Sequence, residues 1–383
     1  MLFIPETSPG GASMPQQSFD VLIIGAGPAG IAAAYRCHQH GLSYLVIESG
    51  NRVFQGIANT YPAGKDVFPS RPKDSAEPFL IEELRPPDKP VTVEKYLQYV
   101  EHFVEHAQLK IQFETLFEDA QDEKDGFLVS TSKGPLHARR IILSFGSSIP
   151  KELTVYGDAK MVAKTLGDPQ KYVGMRTLVI GGGNTAADVI SSILRAKREA
   201  NDDQPVYWAH IAETFDINKN TAQRLGEEIL LGGHVRLLPG AQPRIGEVDK
   251  YGVDRLVIRT SEVRQSDGIE IYNALSFPMK NVLACIGSQG PLPIFDKLKL
   301  QSIACAEGVC QVAKEGERLL LLTADFESTR KGIYVIGGGI SPSYMRISAG
   351  SIQEHKHPNL IHTAINDAYQ VVEAISQKMK AVP

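Results

Sequence analysis

The feature that most constrains this chain is a glycine-punctuated turn, Gly25-Ala26-Gly27-Pro28-Ala29-Gly30, placed between an apolar run and a helix-like stretch. Phe19-Asp20-Val21-Leu22-Ile23-Ile24 reads as a short buried strand, Ile31 to His40 as a helix, and Tyr44-Leu45-Val46-Ile47-Glu48 as a second strand. A strand, turn, helix and strand within about thirty residues has the size of a right-handed parallel crossover. The opening therefore commits the chain to a parallel sheet with helices packed on it.

Each glycine of the turn has a separate task. Gly25 permits the tight exit from the strand, Gly27 lets a pyrophosphate approach the backbone, and Gly30 lets helix and strand pack closely. The helix start, with unpaired N–H groups and a partial positive charge, supplies donors to the anion. Glu48 lies 23 residues beyond Gly25, where a carboxylate accepts from a ribose hydroxyl. Gly25, Gly27, Pro28, Ala29, Gly30, Glu48 and Ser49 are thus the candidate contacts of a first dinucleotide.

The device recurs. Thr177-Leu178-Val179-Ile180 leads into Gly181-Gly182-Gly183-Asn184-Thr185-Ala186-Ala187-Asp188, then a helix-like Val189 to Arg198 and a strand, Val206-Tyr207-Trp208-Ala209-His210. Ala186 stands at the third fingerprint position, which accepts one methyl. Gly181, Gly183, Asn184, Thr185, Ala186 and His210 are candidate contacts of NADPH or NADH. A 2′-phosphate is normally met by arginine or lysine at the end of the second strand. Here that strand ends Trp208-Ala209-His210-Ile211-Ala212-Glu213, with no arginine before Arg224. NADH, NADPH held through Lys219 or Arg224, and a weakened nicotinamide site all stay open. Further apolar runs end in glycine at Arg140 to Gly146, Asn281 to Gly287 and Gly332 to Gly339. Val93 to His106 reads as a helix; Phe127 to Thr131, Val253 to Arg259 and Ile269 to Leu275 read as strands.

The element order gives an α/β fold class: two Rossmann-like three-layer (ββα) dinucleotide-binding domains, the second inserted into the first. The expected boundaries are a flexible leader over 1–17, a discontinuous first domain over 18–152 and 288–383, and an inserted domain over 153–287. With 383 residues the chain is long enough for this. Lys and Arg number 40 against 44 Asp and Glu, so no basic excess favours nucleic acid. No apolar run reaches the roughly 20 residues that cross a bilayer. These features lead us to expect a cytoplasmic protein with no nucleic-acid or membrane partner.

Two dinucleotide units in one chain resemble the two-domain flavoprotein disulfide reductases, particularly the thioredoxin-reductase-like branch, over about residues 19 to 378. The resemblance rests on Gly25 to Gly30, Ile142-Leu143-Ser144-Phe145-Gly146, the second glycine cluster and Gly332-Ile333-Tyr334-Val335-Ile336-Gly337. It implies FAD at the first site, with Gly146, Gly337, Gly338 and Gly339 added to its contacts, and NAD(P)H at the second. It also implies a homodimer, and an electron acceptor that is a small molecule or a small redox protein. The branch's C-x-x-C pair is missing: the cysteines are Cys37, Cys285, Cys305 and Cys310. Ala58-Asn59-Thr60-Tyr61-Pro62 and Asp66-Val67-Phe68-Pro69 look like a segment of two relatives without the pair, the thioredoxin-reductase-like ferredoxin:NADP reductases and the YpdA-type bacillithiol disulfide reductases. Lys89-Pro90-Val91 through Val100 looks closer to the second. YpdA-type enzymes carry cysteine where this chain has Ala29, and thioredoxin reductases carry an acidic residue where it has Gly338.

By this resemblance Tyr61 and Asn59 are the candidate catalytic contacts beside the flavin, with Ser341 to Ser348 bordering the ring. The activity implied is FAD-dependent NAD(P)H oxidation without a dithiol relay; the alternative is a flavin- or dinucleotide-binding sensor that has lost catalysis. Cys305 and Cys310 flank a two-residue turn at Glu307-Gly308 that would place them opposite one another, close enough to bridge, in a structural role. Glu354-His355-Lys356-His357 and His362 do not converge on a helix, so no metal site is expected and the histidines read as exposed or hydrogen-bonded surface groups, with contact of one of them to the flavin as the alternative that the resemblance implies. There is no G-x-S-x-G serine, H-E-x-x-H or P-loop, which leaves the chemistry to a cofactor.

Overall fold

Val21, Leu22, Ile23 and Ile24 are buried on both sides of their strand, as the middle of a covered parallel sheet requires. The computed structural model describes residues 17–67, 80–85, 91–147, 149–266, 269–306, 310–313 and 316–381. The expected leader up to residue 16, Phe68-Pro69, Lys89-Pro90 and the Glu307-Gly308 turn lie outside the described residues.

The first sheet is built on β1 (Ser18–Ile24), β2 (Tyr44–Ile47), β3 (Ile111–Gln112), β4 (Phe117–Glu123), β5 (Gly126–Thr131) and β6 (Leu136–Leu143). Its order is β3-β2-β1-β6-β5-β4. β1 runs parallel to both β2 and β6, with Val21 opposite Tyr44 and Arg140. Between β1 and β2 runs α1 (Pro28–Gln39), which buries Ala29, Gly30, Ile31, Ala32, Ala33 and Ala34. α2 (Val93–His106) lies on the same core through Val93, Tyr96, Leu97 and Val100.

A second parallel sheet holds β7 (Thr177–Ile180), β8 (Val206–Ala209), β9 (Val235–Leu238) and β13 (Val282–Ala284), in the order β9-β8-β7-β13. α3 (Asn184–Glu199) follows β7 and packs against α4 (Lys219–Leu230). An antiparallel meander of β10 (Gln242–Val248), β11 (Asp254–Ser266) and β12 (Ile269–Pro278) supplies Leu256, Ile258 and Phe277 to the core beneath this sheet.

β16 (Ile333–Val335), far along the chain, returns to the first sheet and pairs in parallel with β6, Tyr334 opposite Ile142. Before it come β14 (Ser302–Ala304) and β15 (Arg318–Leu322). After it come β17 (Ser343–Ser348), β18 (Ser351–Lys356) and α5 (Ile361–Lys380). β15 also pairs with β17, so these strands form one small sheet beside the main one. No helix among the described residues is long and apolar enough to cross a membrane.

Two expectations are corrected. Both fingerprint helices start earlier than read, at Pro28 and Asn184 rather than at 31 and 189, because the chain turns helical directly after Gly27 and Gly183. Glu354 to Lys356 lie in strand β18, not in a helix, so their side chains alternate between faces with a period of two.

Glu327 ties α5 to the turn that launches β16: Gly332 N donates to its Oε1 at 2.8 Å and Lys378 Nζ to its Oε2 at 2.8 Å. Burial pushes the Glu327 carboxyl up, but the Lys378 ammonium and the Gly332 N–H outweigh that and hold it below the ordinary range. A lowered folded-state pKa contributes stability above the unfolded value of about 4.3, lost as pH falls through the folded value. Glu327→Gln is therefore expected to melt a few degrees below wild type at neutral pH, with the gap closing once the pH drops below that of the unfolded carboxyl; thermal melts across acid pH check this.

Candidate functional site

The first glycine turn is fixed by its neighbours. Gly25 has φ +103°, and a Cβ there would lie 2.7 Å from the Ser144 carbonyl oxygen. Gly25 N donates to Ile47 O at 2.8 Å, and Ser144 Oγ donates to Ile24 O at 2.8 Å. At Gly30 a Cβ would stand 1.9 Å from Gly25 O and 2.8 Å from Ser144 Oγ, so no side chain fits. At Gly27 nothing lies within 4 Å of a built Cβ, and α1 begins there without a side-chain cap. That combination leaves backbone donors facing open space at a helix start, which fits a pyrophosphate.

Glu48 reaches back to this turn. Its Oε2 accepts from Ala26 N at 2.8 Å, and its Oε1 accepts from Gly50 N at 2.7 Å and Ser49 Oγ at 3.2 Å. The carboxylate is held in place by three donors at the end of β2, with acceptor capacity left for a ribose hydroxyl.

The late glycines come to the same place. A Cβ on Gly337 would lie 3.0 Å from Ala29 Cβ, and one on Gly338 would meet Asn359 Oδ1 at 2.7 Å and Ser147 N at 3.0 Å. A Cβ on Gly339 would be 3.6 Å from Gly146 O. The structure thus brings the Gly25 to Gly30 turn, Glu48, Gly146 and Gly337 to Gly339 to one place. Pro28, within that turn, is the first residue of α1.

Asn59 and Tyr61 lie on and just after a short helix, Gln55–Thr60. Asn59 Oδ1 accepts from Gln55 Nε2 at 2.8 Å, and the Tyr61 ring carries Lys65 Nζ 4.2 Å from its centroid. Lys65 continues to Asp188 Oδ2 at 2.9 Å, so the Tyr61 segment is ion-paired to α3 of the second unit.

At the second turn Gly181 has φ +131°, and a Cβ there would stand 2.2 Å from Cys285 O. Trp208 Nε1 donates to Gly181 O at 2.6 Å and fixes the turn from β8. Gly183 caps α3 with open space around it, and Ala186 is fully buried against the sheet. Thr185 is exposed, whereas Asn184 Oδ1 accepts from Asn218 N at 2.8 Å. His210 lies over Gly182, 2.3 Å from where a Cβ would be, with its ring 5.7 Å from that of Phe215. Arg224 donates to Asp188 Oδ1 at 2.8 Å, and Lys219 is exposed at the start of α4.

Sequence reading missed a hydrogen-bonded chain, buried at His357 and Asp367, beside the Gly337 loop. Ser341 Oγ and His357 Nδ1 are 2.9 Å apart, His357 Nε2 and Asp367 Oδ2 are 2.9 Å apart, and Gly337 N donates to the same Asp367 oxygen at 2.9 Å. His357 is buried, which corrects the reading of it as a surface group. Motif inspection could not find this trio, because its members come from a loop, a strand end and a helix face at unremarkable spacing. Of Ser341 to Ser348, Ser341 adjoins the glycine loop through its N–H to Gly338 O, and Ser343 to Ser348 form β17.

Cys305 and Cys310 are disulfide-bonded, with Cα atoms 6.1 Å apart, and Cys305 packs with Leu319, Leu321 and Met345 in a satellite cluster. Cys37 and Cys285 are free. Burial pushes the Cys37 thiol far up and the Cys285 thiol up to about 12, so neither is a thiolate at neutral pH.

Residues 22–208 match the family model described as pyridine nucleotide-disulphide oxidoreductase. A ferredoxin–NADP reductase of Streptococcus pneumoniae (strain D39) is 28% identical over 181 residues, 45% of this chain and 50% of that protein. The chain thus spans about half the length of that curated relative. Two solved structures share the fold over nearly the whole chain. The bacillithiol disulfide reductase Bdr (YpdA) of Staphylococcus aureus has a TM-score of 0.70 at 19% identity, covering 94% of this chain and 99% of its own. The thioredoxin reductase of T. acidophilum has a TM-score of 0.64 at 18% identity, covering 96% and 100%.

Proposed function

We propose, from the premise that this chain is a thioredoxin-reductase-like flavoprotein, that it oxidises NAD(P)H at the second glycine turn and delivers the electrons to a small disulfide or small redox protein. In this reading the unit over 153–287 is a nicotinamide-binding domain inserted into an FAD-binding domain. FAD, if bound there, would supply the redox chemistry between the nicotinamide and the acceptor.

This chain's residues hold and orient. The α1 start and Gly27 receive the pyrophosphate, Glu48 the ribose, and Gly146 with Gly337 to Gly339 the flavin end. Gly183 and the α3 start receive the second pyrophosphate. The observation that carries the reading is the meeting of three distant glycine junctions at one place, with a second fingerprint turn in the same chain. Ala29 brings no thiol to the first turn, the free cysteines, buried Cys37 and half-buried Cys285, are protonated, and the Cys305–Cys310 disulfide sits in the satellite cluster with Leu319 and Met345, so in this reading the acceptor takes electrons without a cysteine relay.

Anaerobic mixing with NADPH and with NADH tests the proposal. Bleaching of the flavin's visible absorption by either coenzyme is expected; no bleaching by both leaves a dinucleotide-binding sensor and overturns the enzyme reading. The chain's single tryptophan, Trp208, holds the second turn. Its emission is therefore expected to change saturably with NADP⁺ or NAD⁺, and the tighter titration names the coenzyme.

A further inference from the structure

A cavity of about 540 Å³ lies between the β17–β18 hairpin, the 324–326 turn and the first half of α5. That is the volume of a small organic ligand, and the cavity is lined by neither glycine turn. Phe326, Tyr344 and Leu360 form its apolar wall, and Arg346 from β17 stands in its polar wall.

Arg346 has no acidic partner among the described residues, and its Nε is buried without an acceptor. A guanidinium left this way is under-satisfied, and a bound carboxylate or phosphate supplies what it lacks in a two-pronged geometry.

The other polar groups around the cavity suit an anion, with Lys356 as a second cation. From β18, Lys356 and His355 line it; from α5, His362 and Asp367 do so. Asp367, the one carboxylate in the lining, already accepts from His357 and from Gly337 N. Glu354 is occupied elsewhere, accepting from the amides of Gln311, Val312 and Ala313. Asp325, beside the turn, is paired with Lys378. Burial pushes the Tyr344 hydroxyl up to about 12, so it is a neutral donor at ordinary pH. The start of α5 adds its partial positive charge, with no side chain capping it.

We propose that this cavity binds a small organic anion bearing carboxylate or phosphate groups, with Arg346 as its anchor. The site is separate from both dinucleotide turns and does not require the redox reading to hold.

Calorimetric titration of the flavin-loaded protein, saturated with NADP⁺ so that the second turn is filled, tests it with citrate and with inorganic phosphate as probes. Saturable binding of one of them is expected, and the arm that binds identifies the acidic group. Arg346→Gln is expected to weaken it by about tenfold or more, while Lys124→Gln, an equal charge change at an exposed turn, leaves it unchanged. Absence of saturable binding up to about 10 mM, or equal binding by Arg346→Gln, overturns the proposal. A structure of the wild-type protein with the bound probe gives a readout that does not depend on a variant folding: the anion must lie within hydrogen-bond distance of the Arg346 guanidinium, and density elsewhere overturns the proposal. Flavin bleaching by NAD(P)H is scored separately, so failure of the anion site and failure of the redox reading are told apart.

Discussion

Alanine at Gly30 is expected to yield protein that is colourless after reconstitution with FAD and that folds poorly. The added methyl would lie 1.9 Å from the Gly25 carbonyl oxygen and 2.8 Å from Ser144 Oγ. Both neighbours are held in place: Ser144 Oγ, just after β6, by its bond to Ile24 O, and Gly25 by its bond to Ile47 O. Neither can retreat without pulling α1 off β1. Overpacking against backbone of this kind costs about 3 kcal/mol or more. The matched variant Gly27→Ala separates folding from binding. Nothing lies within 4 Å of its Cβ, so it should melt close to wild type. The same methyl occupies the space a pyrophosphate needs, so flavin content should fall sharply. Flavin absorbance per protein and thermal melts measure both; a yellow, stable Gly30→Ala protein would remove the assignment of this turn.

The contrast with the second turn shows what was legible beforehand. Ala186 occupies the position equivalent to Gly30 and is fully buried, so helix and strand stand far enough apart there for one methyl. Sequence spacing carried both turns because a glycine needed for φ or for close approach leaves its mark at a fixed offset from a strand. It carried the elements flanking them for the same reason, with helix starts displaced because Pro28 and Asn184 are themselves helical.

Contacts made across elements left no such mark. Trp208 reaches Gly181 from the neighbouring strand, Ser144 reaches Gly25 from β6, and Lys65 reaches Asp188 across the two units. Each depends on register and packing, not on local pattern. The β17–β18 hairpin is not legible in the sequence because its short strands, which mix Ser with single Arg, Gln, Glu, His and Lys residues, carry no clean apolar alternation.

Asp367 is the residue on which this unforeseen part converges, and its replacement is expected to have the second large effect. One carboxylate oxygen receives both Gly337 N and His357 Nε2, all within a buried region. Asp367→Ala leaves a backbone N–H and an imidazole without their acceptor, and breaking a buried pair from one side costs about 3 kcal/mol or more. The loss is local to the Gly337 loop, which the proposed function places at the flavin, because Gly337 packs on Ala29 of the first turn and Ser341, at the far end of the trio, adjoins Gly338. Flavin retention should therefore drop together with the melting temperature. Asp367→Asn keeps one acceptor oxygen of nearly the same shape, so it should recover part of both. If alanine and asparagine lose flavin equally, the carboxylate's charge matters and its geometry does not. If alanine leaves both flavin content and melting temperature at wild-type values, the trio has no role in holding the Gly337 loop, and that loop must be positioned by its packing on Ala29 and Ala364 alone.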